Sequence, residues 1–210
     1  MIPLDHLLAF VVASAVIVVI PGPSVLFVLG RSIAHGRRAG VLSVLGNALG
    51  TVPAVLAVAF SVGAVVAASV AAFTVLKLAG AAYLVYLGVQ AIRHRHAHTR
   101  VDAPKAATTT QLLRQGFVVG ATNPKTIAFF VAVLPQFVAV EAGPAWAQLL
   151  VLGVVFQLMA VVSDSTWALA AGTARTWFAR SPERMSTLSG TGGVMMIGLG
   201  GTLALSGSKH

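Results

Sequence analysis

The sequence predicts an all-α membrane protein with six transmembrane helices, arranged as two inverted three-helix repeats with both termini outside. Three observations carry this. Hydrophobic residues make up 57% of the 210-residue chain and charged residues only 9%, with a mean hydropathy of +0.90; a typical soluble domain is roughly a quarter charged. The apolar residues fall into stretches of about the 20 residues needed to cross a bilayer core of about 30 Å. The basic residues collect in alternate gaps between those stretches.

Composition also excludes several classes. With 14 basic and 5 acidic side chains, a water-facing surface would show large apolar patches, so an ordinary soluble enzyme and a disordered chain are both ruled out. A net charge of +9 would suit a nucleic-acid binder only if the basic residues formed a surface stripe. They lie in the gaps between apolar runs instead, so lipid is the expected partner and nucleic acid is not. The chain has no cysteine, which removes disulfides and thiolate metal sites.

The first span covers about 4–20 and resumes as SVLFVLG after Pro21-Gly22-Pro23. It does not read as a signal peptide: it lacks a basic leading segment, carries Asp5, and holds Ala13-Ser14-Ala15 inside the apolar run. The other spans are expected at about 41–66, 70–92, 116–139, 145–171 and 187–206. Arg31, Arg37 and Arg38 follow the first span. Arg93, Arg95, Arg100, Lys105 and Arg114 follow the third, and Arg175, Arg180 and Arg184 the fifth. The second and fourth connections hold no basic residue. The basic side is the cytoplasmic side. The long polar connection at 93–115 divides the chain into a first repeat, 1–92, and a second, 116–210. Trp146 and Trp177 stand near the ends of the fifth span as interface anchors.

Each half contains one interrupted span: Pro21-Gly22-Pro23-Ser24 in the first and Asn123-Pro124-Lys125-Thr126 in the fourth. Proline removes a backbone donor and clashes with the preceding turn. Carbonyls freed in this way must face protein or a water-filled cavity. The half-helix starting near Ser24 presents unpaired N–H groups and a positive dipole end, which suits a carboxylate. A kink with no ligand is the plain alternative. Asn123, Pro124 and Lys125 place an amide, a freed carbonyl and an ammonium side by side; the alternative for Lys125 is that it snorkels to the interface.

Asp164 lies inside the fifth span, and an acid there marks an ion or proton pathway, unless it forms a structural salt bridge with Lys125 or Lys77. Gln157, seven residues earlier, shares its helix face. Asn47 in the second span either extends the polar lining or bonds between helices, its flanking Gly46 and Gly50 favouring close packing. Tyr83 and Tyr86 read as packing residues. His94, His96 and His98 alternate in the long loop without an acidic or cysteine partner, and no metal or cofactor is expected. No nucleotide-binding or hydrolase motif is present, and no enzyme activity is expected.

Several motifs recur together: Pro21-Gly22-Pro23, then Gly36-Arg37-Arg38-Ala39-Gly40, then the run from Leu78 through Tyr83 and Tyr86 to Gly88, then Gly116-Phe117 with Asn123-Pro124-Lys125. In this combination the chain resembles the LysE/RhtB family, the lysine exporters and homoserine/threonine resistance translocators, over nearly its whole length. The resemblance implies a multi-pass protein of the bacterial cytoplasmic (inner) membrane. It would export amino acids or related small metabolites, by proton antiport. It also implies that Pro21, Gly22, Pro23, Asn123, Pro124, Lys125 and Asp164 form the core of the substrate path. In that scheme Ser24 and Lys125 hold the substrate carboxylate, and Asp164 holds either its ammonium or a proton. The rivals are an efflux carrier for a cation or hydrophobic drug and a non-transporting accessory membrane protein. A homo-oligomer remains open, since Gly46/Gly50 and Gly192/Gly193 allow close contacts within or between chains.

Overall fold

A computed structural model describes residues 2–68, 70–93 and 107–173, together with scattered positions between 183 and 205. Most of the sixth expected span, His94, His96, His98, Trp177 and Gly192/Gly193 lie outside the described residues. The described residues form seven α-helices and no strand: α1 Leu4–Val19, α2 Pro23–His35, α3 Arg37–Ala68, α4 Val70–Arg93, α5 Thr109–Ala121, α6 Pro124–Ala132 and α7 Ala145–Thr173. Two short 3-10 turns, Leu134–Phe137 and Val140–Ala142, link α6 to α7.

Both expected interruptions are bends. The α1–α2 pair turns by 49° and the α5–α6 pair by 44°. Among the described residues, two stretches are long and apolar enough to cross a membrane unaided, Arg37–Ser61 in α3 and Ala145–Ala171 in α7. Each bent pair qualifies as one broken span, which brings the number to as many as four. In the third expected stretch, Ala81–Gln90 of α4 is a shorter apolar helix. The fourth expected span, placed at about 116–139, begins its helix earlier, at Thr109 in α5: Thr108 caps it, its hydroxyl accepting from the Gln111 N–H at 3.3 Å while the Gln111 side chain accepts from the Thr108 N–H at 3.0 Å.

The outward faces are apolar. Leu4, Leu8, Val12, Val16 and Val19 form an exposed stripe on α1, and Val151, Val154, Leu158 and Val162 form another on α7. Their spacing of three and four residues keeps each stripe on one helix face. Polar side chains gather inside, the reverse of a water-soluble bundle.

Without a hydrophobic drive between helices in lipid, close backbone packing must hold the bundle. Backbone meets backbone most closely, among the described residues, between α3 and α5. Gly46 and Gly50 of α3 face the carbonyls of Leu113 and Phe117, while Gly116 and Gly120 of α5 face those of Ser43 and Asn47. The contact is reciprocal: four glycines, two per helix at four-residue spacing, let the two backbones meet. Any Cβ would land 2.0 to 2.4 Å from a backbone oxygen. The glycine spacing read around Asn47 thus serves a contact within the chain.

A buried aromatic cluster fills the other side. Phe156 of α7 stacks on Phe129 (5.0 Å between centroids) and meets Phe130 edge-on (4.9 Å); Phe10 of α1 packs against Phe129 and Phe137. Buried Gln148 ties down the segment before α7, bonding the Ala139 N–H and the carbonyls of Ala139 and Gly143. His6 Nδ1 lies 3.2 Å from the Phe137 carbonyl, joining the start of α1 to the same turn. Tyr83 and Tyr86 are exposed and stack on each other rather than filling the interior. Trp146 is half exposed and stacks on Phe60.

Candidate functional site

The two bends meet inside the bundle. At the first, α1 ends at Val19 and Gly22 stands as the extended N-cap of α2, with Pro23 in the first helical turn. Pro23 suits that place because its missing N–H would be unpaired there anyway. No side chain caps α2, so its first N–H groups have no side-chain acceptor. At the second bend, Asn123 caps α6: its Oδ1 accepts from the Lys125 N–H at 3.1 Å, with Pro124 in the first turn.

A continuous chain of buried hydrogen bonds then crosses four helices. Asn123 Nδ2 donates to Ser24 Oγ at 2.6 Å. The Ser24 hydroxyl donates to Asn47 Oδ1 at 2.9 Å. Asn47 Nδ2 donates to Asp164 Oδ2 at 3.4 Å. Ser24, Asn47, Asn123, Lys125 and Asp164 are all buried. The donors run in one sense, from the α6 cap through α2 and α3 to the carboxylate on α7. Buried polar groups cost heavily unless paired, and here each amide and hydroxyl both gives and receives.

Lys125 does not snorkel. Its ammonium donates to the carbonyls of Ile17 at 3.0 Å and Ile20 at 2.8 Å, at the end of α1. The side chain passes directly over Gly22, where a Cβ would lie 2.9 Å from Lys125 Cε and 3.0 Å from Nζ. Gly22 is therefore needed for room; its backbone is ordinary extended chain. The link from Lys125 to Asp164 runs through Asn123, Ser24 and Asn47, not through a direct ion pair.

Gln157 lies two turns from Asp164 and also faces α3, where the Thr51 hydroxyl is 2.7 Å from its Oε1. The Thr51 hydroxyl is also 2.8 Å from the Ala48 carbonyl. The Thr51–Gln157 pair thus adjoins the main cluster one turn along α3 from Asn47. Pro21, Gly22, Pro23, Ser24, Asn47, Asn123, Pro124, Lys125 and Asp164 are brought together at one place. An apolar groove of about 620 Å³ between α1 and α7, lined by Val18, Val19, Leu158, Met159 and Val162 among others, includes none of them.

Three features went unread in the sequence. The carbonyls of Ile17 and Ile20 are partners of Lys125; the available signal is Pro21, four residues after Ile17, which supplies no N–H to it. Gly116 and Gly120 face Gly46 and Gly50; the signal is the same four-residue spacing. Thr51 joins Gln157; the signal is its place one turn after Asn47.

Interrupted apolar helices whose broken ends meet around a buried polar cluster are the architecture of a membrane carrier. The chain belongs to the LysE type translocator family, whose sequence signature matches residues 15–207. Its relatives agree in length as well as sequence. It is 36% identical over 198 residues to an uncharacterized membrane protein of Vibrio cholerae serotype O1, covering 94% of this chain and 95% of the relative. It is 31% identical over 196 residues to a homoserine/homoserine lactone efflux protein of Salmonella typhimurium, covering 93% and 94%. It is 28% identical over 201 residues to a leucine efflux protein of an Enterobacter species, covering 93% of each. No solved structure matches the chain.

Proposed function

We propose that this translocator exports amino acids or closely related amines across the bacterial cytoplasmic membrane in exchange for protons. The observation that carries the reading is the buried chain from Asn123 through Ser24 and Asn47 to Asp164, which joins both helix breaks to one acid. A structural kink would need no such connection. We also propose six spans in two inverted repeats, 1–92 and 116–210, joined by the cytoplasmic connection at 93–115, with both termini outside. The basic residues of the three cytoplasmic connections support that arrangement.

The substrate carboxylate is held by the uncapped N-terminus of α2 near Ser24, assisted by Lys125. An ammonium has three donors, and the α1 carbonyls take two from Lys125. Asp164 accepts either the substrate ammonium or a proton. Competition for one carboxylate couples the two flows: a proton arriving from the acidic outside displaces the amine. Asn47 orients Asp164, while Gln157 and Thr51 extend the lining. The relatives named for homoserine, homoserine lactone and leucine efflux support a small amine-bearing substrate.

The test is export from cells overproducing the protein and fed dipeptides that load each amino acid inside, read by mass spectrometry of the medium. One or a few amino acids should leave faster with the wild type, and uphill export should vanish in Asp164→Asn. Full uphill export by Asp164→Asn, or no amino acid moving although the protein is in the membrane, would sink the reading.

A further inference from the structure

The ammonium of Lys125 occupies a site that its own helix did not build. Ile17 and Ile20 offer their carbonyls at 3.0 and 2.8 Å, at the negative end of the α1 dipole. In a regular helix the Ile17 carbonyl would accept from residue 21, but that residue is proline and has no N–H. The surroundings are closed: Ile17, Ile20 and Phe129 have no exposed surface. Two acceptors converge in an apolar setting, and an N–H-bearing cation satisfies them. That cation arrives on a flexible four-carbon stem laid across Gly22, so rotation about its bonds can withdraw it.

We propose that the Ile17 and Ile20 carbonyls are the ammonium subsite of the transport path, held by Lys125 in this state and by the primary ammonium of the substrate in the loaded state. The proposal rests on the exporter reading and revises it at one point: the substrate ammonium sits on the carbonyls rather than on Asp164, so the two flows are coupled through the Asn123–Ser24–Asn47 chain rather than by competition for one carboxylate. Lys125, once displaced, turns to the substrate carboxylate, and Asp164 is left to carry the proton alone. An exporter must also return empty. With Lys125 back on the carbonyls, the empty carrier leaves neither of these two acceptors unpaired, which would be costly at membrane depth. The site selects for N–H donors, so primary amines fit and quaternary ammonium ions, which have none, do not.

The test uses binding to the purified full-length protein, independent of export. Lys125→Ala opens the site. n-Propylammonium at tens of millimolar should raise the Tm of this variant by several degrees by mass action. It should leave the wild type unmoved, because Lys125 fills its site. Tetramethylammonium and propanol should not stabilise Lys125→Ala. Lys125→Met, which refills the space without donors, should not respond to propylammonium. If Lys125→Ala is too unstable to purify, propylammonium present during membrane extraction should restore its folded peak on size exclusion. Absence of both stabilisation and restoration, or an equal response in Lys125→Met, overturns the proposal. Stabilisation of Lys125→Ala by propylammonium, with no amino acid exported by the wild type, would instead overturn the exporter reading and leave the carbonyl ammonium site standing.

Discussion

Lys125 supplies to Ile17 the hydrogen bond that Pro21 withholds. The proline lies four residues after Ile17, where a helix would place the donor, and the Lys125 ammonium takes that place at 3.0 Å from more than a hundred residues away. A break in one bent pair is thus completed by a side chain from the other. Pro21→Ala offers the Ile17 carbonyl a local N–H again. The variant should fold with Tm unchanged or higher, the α1–α2 bend of 49° should relax, and export should fall by about tenfold or more, roughly the effect of 1.4 kcal/mol on a barrier. Spin-label distances across the bend, together with export rates, check this.

Gly22→Ala places a methyl group 2.9 to 3.1 Å from the end of the Lys125 side chain. The side chain is flexible, so it moves and the backbone stays. We expect a stability loss of about 1 kcal/mol and a large loss of export. Because the damage acts through the end of the Lys125 side chain, adding Gly22→Ala to Lys125→Ala should cost little further. Fully additive losses in the double-mutant cycle would contradict the contact.

Ser24→Ala removes the hydroxyl that accepts from Asn123 and donates to Asn47. Two buried amide groups lose a partner, at a cost of about 1–3 kcal/mol. Export should fall further than the folded fraction does, since Asn47 also loses a constraint on its contact with Asp164. Measuring transport per folded molecule in proteoliposomes separates the two effects.

The glycines divide into those that are filled against and those that are free. Gly50→Ala and Gly120→Ala drive a methyl group into backbone oxygens of Phe117 and Asn47, at 2.0 and 2.1 Å. Neither oxygen can move cheaply, and each change should cost about 3 kcal/mol. Gly30 in α2 has nothing within 4 Å of a Cβ, so Gly30→Ala should stabilise by about 0.5–1 kcal/mol through helix propensity. Thermal unfolding of the three variants in one detergent gives the comparison.

Much of this site was legible because its chemistry is local in the sequence. Paired prolines and an acid in an apolar run identify themselves by what lipid forbids, so Pro21, Pro23, Pro124 and Asp164 could be named from hydropathy alone. Gln157 followed from its helical spacing to Asp164, and Asn47 from being an amide inside an apolar span between Gly46 and Gly50. What spacing does not supply is azimuth. Lys125 was expected to face a carboxylate, and it faces carbonyls of α1, because only packing shows that Gly22 leaves it that route. Gly46 and Gly50 declared a close contact without naming their partner. The snorkelling alternative for Lys125 failed for a related reason: the stem could reach water only if α6 left its N-terminus outside the bundle, and the Asn123 cap holds it within.

The reciprocal glycine contact has a consequence for biogenesis. Its two sides are made at different times: α3 is complete well before α5 leaves the ribosome. Until then α3 lies in the bilayer with a shallow groove at Gly46 and Gly50, its backbone bonded within the helix but its surface poorly filled by lipid. The arrival of α5 fills this groove and is the event that locks the first half of the bundle to the second.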